Sequence, residues 1–301
     1  MYDIIIIGAG PAGITASVYA ARKKMKVLVV TEDIGGQAAW SGDIENYTGY
    51  QFITGPDLAE KFEEHLRRYD ITVKENEAVL ALIKKGETIE VKTEKGTYES
   101  KTAIIASGKR SRELNVPGEK EYKNRGLTYC ATCDGPLFSG KDVAIIGGGN
   151  SALDAALQMI NIAGHVYIVD INPKLGGDPI MLEKVVNNAK VTVMNNASVS
   201  EIKGEKIVTA IKVKTNGAGK EIPVQGVFVE IGLTPNSEFA GDVEKNEHGE
   251  IKVNCYNETN VHGIFAAGDV TDVPEKQIII AAGEGSKATL SAFRYLSRSR
   301  L

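Results

Sequence analysis

The stretch "DIIIIGAGPAG", residues 3–13, decides the fold class of this chain. A continuous run of β-branched apolar residues is typical of a parallel strand that is buried on both faces. Gly8, Gly10 and Gly13 then form a G-x-G-x-x-G motif at the start of a helical pattern, and the strand "KVLVV" follows. This order of strand, glycine loop, helix and strand predicts a dinucleotide-binding βαβ unit, in which the helix N-terminus holds the phosphates.

The same order of elements returns in "DVAIIGGGNSA", residues 142–152, which leads into a helical pattern and the strand "HVYIV". Gly147 and Gly149 occupy the first two glycine positions of the motif, and Ala152 is the permitted alanine at the third. The chain therefore contains a repeat of whole domains, each with its own dinucleotide loop. Two such sites in one chain predict one dinucleotide that stays bound, a flavin, and one that exchanges, a nicotinamide.

An acidic residue stands at the end of the second strand in each βαβ unit, Glu32 in the first and Asp170 in the second. A carboxylate at this position accepts hydrogen bonds from ribose hydroxyls, so Glu32 is predicted to bind the flavin dinucleotide. Asp170 favours the free 2′-hydroxyl of NAD and repels the 2′-phosphate of NADP, and no arginine follows it in "INPK". We therefore predict NADH rather than NADPH as the exchanging nucleotide. The predicted NAD-binding residues are Gly147, Gly149, Asn150, Ser151 and Asp170.

The composition, with 43% apolar and 25% charged residues, is that of a globular protein, and 301 residues suffice for two domains. The formal net charge of −4 and the scattered lysines argue against a nucleic-acid partner, which requires clustered positive charge. No apolar stretch approaches the roughly 20 residues that cross a bilayer, and no signal-peptide pattern is present. We therefore expect a cytoplasmic protein without a membrane or nucleic-acid partner.

The segment "CATCDG", residues 130–135, contains a C-x-x-C pair that is open to three interpretations: half of a zinc site, a buried coincidence or a working disulfide. With three cysteines and four histidines in the chain, a second pair of zinc ligands is missing, so no metal site is expected. Beside a βαβ pattern, Cys130 and Cys133 are instead predicted to be redox-active. Asp134 is a candidate proton shuttle to a thiolate or, alternatively, a turn or N-cap residue. Cys255 is expected to be a buried residue of a strand.

The polar segment 111–126, which contains Pro117 and Gly118, is predicted to be an inter-domain linker. A second polar stretch precedes "VHGIFAAGDV" and a long apolar helix from Gln277 to about Leu296, where the first domain is expected to resume. The predicted fold is therefore α/β, with two Rossmann-like, three-layer dinucleotide-binding domains, the nicotinamide domain being inserted into the FAD domain. The predicted boundaries are 1–112 and 243–301 for the FAD domain and 113–242 for the NAD(P) domain.

Several motifs together resemble the low-molecular-weight thioredoxin reductases, a group of class II pyridine nucleotide-disulfide oxidoreductases: "CATCDG", "GGGNSA", "GGQ" at 35–37 and "ETNVHGIFAAGDV". The resemblance covers essentially the whole chain. Within that group, "DIENY", "CDGPLF", "VEIGLTPN" and "KQIIIAAGEG" are most similar to the reductase core of the alkyl hydroperoxide reductase flavoprotein. That flavoprotein carries an additional N-terminal thioredoxin-like domain, whereas this sequence begins directly at the FAD strand, so we expect it to act on a separate redox partner.

The resemblance implies roles for individual residues. FAD would be held by the first glycine loop, with Gly8, Gly10, Pro11, Ala12 and Gly13. Near the flavin ring it would contact Gly36, Gln37 and Asn46, and at the ribityl and phosphate region Gly268 and Asp269. Lys276, Gln277 and Ile278 would lie at the ring end. Cys133 would face the flavin, Cys130 would attack the partner disulfide, and Asp134 would donate a proton. NADPH-dependent members carry arginines that this sequence lacks after Asp170, which agrees with a preference for NADH. The family also implies a homodimer and rotation of the nicotinamide domain about its two linkers.

The predicted function is transfer of electrons from NADH through FAD and the Cys130–Cys133 disulfide to a thioredoxin- or glutaredoxin-like protein. One alternative is a ferredoxin-fed flavin thioredoxin reductase, against which the intact "GGGNSA" loop argues. Another is a flavin NADH oxidase that reduces oxygen or peroxide directly. A non-enzymatic binding module does not account for two separate dinucleotide motifs.

Overall fold

The structure, a computed structural model, describes residues 1–40, 43–44, 46–215 and 218–298; the side chains of residues 40, 43, 132 and 133 lie outside this description. The chain divides into two compact units, each with its own core. Unit 1 consists of Met1–Arg110 and Thr234–Leu301, and unit 2 of Ser111–Leu233. Unit 2 is thus inserted into unit 1 along the chain, and the two-domain α/β fold predicted from the sequence is confirmed.

The unit boundaries differ from the predicted ones, most clearly on the return to unit 1. That return lies at Thr234 rather than after residue 242, because the following residues hydrogen-bond within unit 1. The N–H of Asn236 donates to Gly108 O at 3.0 Å, and the N–H of Leu82 donates to Phe239 O at 3.0 Å. Sequence composition does not reveal such pairing between segments that are far apart along the chain.

The predicted linker 111–126 is not a linker but a folded part of unit 2. A short helix forms within it, and the side chain of Glu119 is 2% exposed. Glu119 accepts hydrogen bonds from the N–H groups of Leu114 and Asn115, both at 2.6 Å. The proline and glycine that suggested a linker therefore shape a turn, which this buried carboxylate holds in place.

In unit 1, a buried sheet has the strand order β5-β2-β1-β8-β7-β6, with β19 paired to β8. The strands that come before the inserted unit are β1 (Tyr2–Ala9), β2 (Val27–Ile34), β3 (Asp43–Ile44), β4 (Ile53–Thr54), β5 (Thr72–Lys74), β6 (Val79–Lys85), β7 (Thr88–Thr93), β8 (Thr97–Ile105) and β9 (Lys109–Ser111), the last of which runs into it. The remaining elements are β19 (Ile264–Ala266), the helices α1 (Pro11–Arg22), α2 (Gly55–Arg67) and α7 (Ile278–Arg298), and a 3-10 helix (Gly36–Trp40). Strands β1, β2, β5, β8 and β19 pair in parallel, whereas β6 and β7 are antiparallel.

The core of unit 1 lies on both faces of this sheet. Residues Ile4–Ile7 of β1 are at most 3% exposed, as the continuous apolar run predicted. One face is covered by α1 and α7, whose backbones approach so closely that Thr289 Oγ1 donates to Ala16 O at 3.0 Å. On the other face, apolar side chains of β1, β2, β6, β7 and β8 pack against the segment that leads to β19. Helix α2 is capped by Thr54, whose Oγ1 accepts from the N–H of Asp57 at 3.2 Å.

In unit 2, a parallel sheet has the strand order β10-β17-β11-β12-β13. The strands are β10 (Leu127–Thr128), β11 (Asp142–Ile146), β12 (His165–Val169), β13 (Val191–Met194), β14 (Ala197–Gly204), β15 (Val208–Thr215), β16 (Ala218–Pro223), β17 (Gly226–Val229) and β18 (Leu233–Pro235), the last of which runs back into unit 1. The helices are α3 (Glu119–Tyr122), α4 (Ala131–Asp134), α5 (Asn150–Ile162) and α6 (Pro179–Val186), with a 3-10 helix at Gly135–Phe138. The antiparallel sheet β14-β15-β16 covers one face of the parallel sheet, and α5 and α6 cover the other.

Candidate active site

The first glycine motif forms a tight junction between β1 and α1. Gly8 has φ +101°, and a Cβ on Gly13 would lie 1.9 Å from Gly8 O, so neither position tolerates a side chain without backbone movement. Helix α1 begins at Pro11 without a side-chain cap on its N-terminus. The uncapped N–H groups and the helix dipole there make this end of α1 suitable for a phosphate group.

This junction opens into a cleft of about 640 Å³ within unit 1. Most of the residues predicted to bind FAD line it: Gly8, Gly10, Pro11, Ala12, Glu32, Gly36, Gln37, Gly268, Asp269, Lys276, Gln277 and Ile278. Gly13 does not line the cleft, because it packs beneath the loop against Gly8. Asn46 also lies outside the lining, but its Nδ2 donates to Gln277 Oε1 at 3.1 Å. The structure therefore brings residues from both ends of the sequence to a single cavity.

The carboxylates of the cleft differ in their surroundings. Glu32 is exposed at the end of β2, where its oxygens can accept hydrogen bonds from a ligand. Burial raises the pKa of Asp269, although the charges of Lys276 and Lys109 lower it in part. Glu77 is 3% exposed and accepts a hydrogen bond from Tyr98 Oη at 2.9 Å.

Sequence reasoning missed Glu284 of α7, which supports the predicted FAD residue Gly268. Glu284 is 5% exposed, and its Oε2 accepts from the N–H of Gly268 at 2.7 Å. Burial raises the pKa of Glu284. The hydrogen bond from Gly268 and the charge of Lys287 offset only part of this increase. A charged residue on the buried side of an otherwise apolar helix, within "AAGEGSKA", was the signal available in the sequence.

Sequence reasoning also missed Lys109 and Arg110 of the cleft wall. Both follow β8 at the carboxyl edge of the parallel part of the sheet, close to the edge at which the first glycine loop lies. Ligands of open α/β sheets bind at this edge, so the position of "SGKR" after a buried strand was an available signal.

In unit 2, the second glycine motif lies at the carboxyl edge of the parallel sheet, between β11 and α5. Asp170 follows β12 at the same edge but is only 4% exposed. A Cβ on Gly148 would lie 2.2 Å from Asp170 Oδ2, so the glycine between the two motif glycines is what lets the carboxylate pack against the loop. Asn172 Nδ2 lies 3.2 Å from Asp170 Oδ1 and 3.4 Å from Oδ2. Asn172 thus occupies acceptor positions that a ribose hydroxyl would use.

The other predicted NAD-binding residues, Gly149, Asn150 and Ser151, are exposed around the start of α5. Gly149 is the N-cap and has no side-chain cap, so N–H groups at this helix end are available to a phosphate. Asn150 has a structural contact as well, since its Oδ1 accepts from the N–H of Asp178 at 2.7 Å.

Glu230, which follows β17 at the same edge, was not predicted. Its carbonyl oxygen faces the Cα of Gly147, and a Cβ on that glycine would lie 2.1 Å away from it. Burial, together with the charge of Asp154, raises the pKa of Glu230 to about 8. An acid of this kind exchanges its proton near neutral pH, beside the second glycine loop.

Cys130 lies between β10 and α4 in unit 2 and is disulfide-bonded. The side chain of Cys133, its predicted partner, lies outside the described residues. Cys255 is free and exposed, in a turn rather than in a strand, so the expectation of a buried strand residue was wrong. The apolar context of "IKVNCYN" is interrupted by the turn-forming Asn254 and Asn257, which place Cys255 at the surface.

Two hydrogen bonds position the segment around Cys130. The N–H of Cys130 donates to Thr128 Oγ1 at 3.1 Å, and Tyr129 Oη donates to the buried Glu119 at 2.8 Å. Burial and the bond to Glu119 raise the pKa of Tyr129. Asp134 ends the single turn of α4 and occupies the N-cap position of the 3-10 helix Gly135–Phe138, where its side chain makes no capping hydrogen bond.

The donor set of unit 1 fits FAD. The same cavity is lined by a helix N-terminus for the pyrophosphate, by an exposed carboxylate near the end of β2 for a ribose, and by amide and lysine side chains. Among the helices of the described ranges, none has the length and apolar character of a membrane span. Within the same ranges, no three His, Cys, Asp or Glu side chains gather in a way that would bind a metal ion.

Comparisons with known proteins agree with this geometry. Residues 2–285 match the family described as pyridine nucleotide-disulphide oxidoreductase. The chain is 44% identical over 302 residues to a Bacillus subtilis protein named NADH dehydrogenase, and 44% identical over 306 residues to the F component of Pseudomonas aeruginosa alkyl hydroperoxide reductase. Each match covers 99% of this chain but 59% of the relative, so the chain spans about three fifths of the length of these proteins.

Solved structures extend the similarity. The chain superposes on Lactococcus lactis thioredoxin reductase in its FR conformation with a TM-score of 0.89 at 35% identity, covering 99% of this chain and 100% of that one. For the thioredoxin reductase of T. acidophilum, the TM-score is 0.86 at 38% identity, covering 99% of both chains. The chain therefore belongs to the pyridine nucleotide-disulphide oxidoreductase family and is a thioredoxin-reductase-like flavoprotein oxidoreductase.

Proposed function

We propose that this chain transfers electrons from NADH, through FAD bound in the cleft of unit 1, to a Cys130–Cys133 disulfide, and from there to a disulfide of a separate thioredoxin- or glutaredoxin-like protein. The observation that carries the proposal is the oxidised state of Cys130 in the unit that also holds the second glycine loop, while Cys255 is free. The names of the relatives support it, because one is an NADH dehydrogenase and another is a component of an alkyl hydroperoxide reductase.

In this proposal, the two glycine loops and the acids that follow them bind different dinucleotides. The loop Gly8–Gly13 and Glu32 hold the FAD dinucleotide, and Gly147, Gly149, Asn150, Ser151 and Asp170 hold NADH. When bound, FAD supplies the chemistry that turns a hydride equivalent into an electron pair for a disulfide. Rotation of one unit relative to the other about the two chain crossings is part of the proposal.

The Cys130–Cys133 disulfide is first reduced and then exchanges with the disulfide of the partner. Two electrons and two protons convert the Cys130–Cys133 disulfide into two thiols. Cys130 passes its proton to Asp134, and the resulting thiolate attacks one sulfur of the partner disulfide. This forms a mixed disulfide and releases the other partner sulfur as a thiolate, to which Asp134 gives the proton. Cys133 then attacks Cys130 of the mixed disulfide, which releases the second partner thiol and restores the Cys130–Cys133 bond.

The proposed preference for NADH rests on Asp170. Its carboxylate lies at the carboxyl edge beside the second glycine loop, where it would accept from ribose hydroxyls and repel a 2′-phosphate. Its low exposure and its contact with Asn172 mean that nucleotide binding must displace the Asn172 amide. The exposed neighbouring loop permits this movement, since Asn172 itself is exposed.

The test is an anaerobic titration of the FAD-loaded protein with NADH and, separately, with NADPH, following the visible absorbance of the flavin. We expect near-stoichiometric bleaching by NADH and bleaching only by a large excess of NADPH. Equal or stronger bleaching by NADPH would refute the preference, and no bleaching by either nucleotide would favour a ferredoxin-fed enzyme.

Cysteine variants test the remaining steps. Cys130→Ser should abolish the release of thiols from oxidised thioredoxin or glutaredoxin but leave flavin bleaching by NADH intact. Cys255→Ser is the matched control, because that thiol is free and exposed, and it should retain both reactions. Loss of bleaching in Cys130→Ser would contradict the assigned role. Oxygen uptake that persists at the wild-type rate in a Cys130→Ser/Cys133→Ser variant would instead favour a direct NADH oxidase.

A further inference from the structure

A cluster of three charged side chains lies in the wall of the unit 1 cleft. Glu250 Oε1 accepts from Lys109 Nζ at 2.8 Å and lies 3.2 Å from Lys276 Nζ. The other oxygen of Glu250, Oε2, accepts from Asn246 Nδ2 at 2.7 Å. The side chains of Lys109, Glu250 and Lys276 are 12%, 14% and 24% exposed, so all three charges are largely removed from solvent.

Glu250 remains ionised in this environment. Burial by itself raises the pKa of its carboxyl group, but hydrogen bonds from Lys109, Asn246 and Lys276 and the charge of Lys276 overcome this effect and lower the pKa to about 2. Two ammonium groups thus face one carboxylate. The positive charge of the two lysines also reaches Asp269 across the cleft lining, since both lower the pKa of that group.

Lys109 has hydrogen-bonding capacity that this cluster does not use. An ammonium group carries three donors. In the part of the chain that the structure describes, Glu250 is the one acceptor recorded for Lys109 Nζ, whereas Lys276 Nζ also donates to Thr271 O. A mostly buried ammonium group with unused donors is costly unless a ligand accepts from it. Lys109 lines the cleft, so such a ligand would lie in the cleft.

The position of Lys109 within the cleft is fixed by its neighbours. Gln37 Nε2 donates to Lys109 O at 2.8 Å, and Gln277, next to Lys276, accepts from Asn46. Gln37, Asn46, Lys276 and Gln277 are the residues assigned to the ring and ring end of FAD. The backbone of Lys109 is therefore hydrogen-bonded to Gln37, and its side chain shares the Glu250 carboxylate with Lys276. Both contacts lie at the same end of the cavity.

We propose that Lys109 contacts the ring end of FAD and stabilises the negative charge that the cofactor acquires when it takes up an electron pair, thereby favouring the reduced over the oxidised cofactor. The proposal rests on the proposed function, since it requires FAD in this cleft. Charge near the ring nitrogens is a recognised means by which a protein tunes a flavin. Neither glycine motif nor the cysteine pair contains Lys109, and the role proposed for it is electrostatic.

The test compares holoproteins carrying Cys130→Ser and Cys133→Ser, so that the flavin is the only internal electron acceptor. The ratio of reduced to oxidised FAD is measured by absorbance against a reference dye of known potential. In Lys109→Met, we expect this ratio to fall at least tenfold, a decrease of about 30 mV in the two-electron potential. Lys109→Arg, which keeps the charge, should stay within threefold of the parent, and Lys109→Gln provides a second neutral variant should Lys109→Met fail to fold.

Lys101→Met is the matched control, because Lys101 also pairs with a carboxylate, Asp3 at 3.0 Å, but does not line the cleft. Its ratio should not change. A ratio in Lys109→Met or Lys109→Gln that equals that of the parent, while the parent binds FAD and accepts electrons from NADH, would overturn this inference and leave the proposed function standing. Failure of the wild-type protein to bind FAD would overturn both.

Discussion

The contact between Gly13 and Gly8 leads to a prediction that separates packing from cofactor binding. In Gly13→Ala, the added Cβ would lie 1.9 Å from Gly8 O, whereas ordinary contact begins at 3.4 Å. Strand β1 and helix α1 must therefore separate by about 1.5 Å, and overpacking of this kind costs about 3 kcal/mol at the upper end of its usual range. Replacing a helical glycine by alanine returns about 1 kcal/mol. We expect a net loss of about 2 kcal/mol in the free energy of unfolding of unit 1.

Urea unfolding of the FAD-free protein, followed by tryptophan fluorescence, measures this loss. Trp40 is the single tryptophan of the chain and belongs to unit 1, so its fluorescence reports on that unit. With a slope of about 2 kcal/mol per molar urea, the midpoint should fall by about 1 M.

Two other glycine-to-alanine variants serve as controls for the packing effect of the added Cβ. A Cβ on Gly283 of α7 meets nothing within 4 Å, so Gly283→Ala should be neutral or stabilising by up to about 1 kcal/mol. A Cβ on Gly10 meets only Gly35 O at 3.9 Å, so Gly10→Ala should cost less than about 1 kcal/mol but weaken FAD binding, because the side chain would enter the phosphate site. Equal midpoints for Gly13→Ala and Gly283→Ala would refute the reasoning.

Three further outcomes concern unit 2. The raised pKa of Glu230 keeps its carboxyl group protonated in the folded state, whereas the unfolded chain releases the proton, so the free energy of unfolding should fall as pH rises from 4.5 to about 8, by at most about 1.4 kcal/mol per pH unit. Urea unfolding at pH 5, 6.5 and 8 should show a smaller fall in Glu230→Gln than in the wild-type protein. The same fall in both proteins would contradict this prediction. Asn172→Ala frees the acceptor oxygens of Asp170, so it should tighten NADH binding by up to about tenfold without improving NADPH binding, as measured by calorimetry. Weaker NADH binding in this variant would contradict the proposal that the nucleotide displaces the Asn172 amide. Asp178→Ala removes the N-cap of α6 and should cost about 1 kcal/mol in urea unfolding, while Asp178→Asn should retain most of the stability.

Both dinucleotide units could be predicted from short stretches of sequence. The strand, glycine loop and first helical turn are contiguous, so the positions of Gly8, Gly10 and Gly147 along the chain already specify the local geometry. The cap of α2 is likewise encoded locally, by Thr54 and Asp57, which are three positions apart. Local signals of this kind need no knowledge of the rest of the fold.

Two other predictions failed because composition does not show which residues a fold buries. The composition of 111–126 is that of a linker, but the buried carboxylate of Glu119 makes the segment part of unit 2. Cys255 was expected in a buried strand, yet the turn formed by Asn254 and Asn257 places it at the surface.

The sequence by itself therefore determined the fold class, the two glycine loops, the cysteine pair and the acids at the strand ends, because each is encoded within a contiguous stretch. Only the tertiary structure decided that Lys109, Glu250 and Lys276, from three separate segments, share one cluster, and that Glu284 supports Gly268. Burial, charge pairing and the resulting pKa shifts depend on which segments meet in space, and pairing of distant segments leaves no periodic trace in a single sequence.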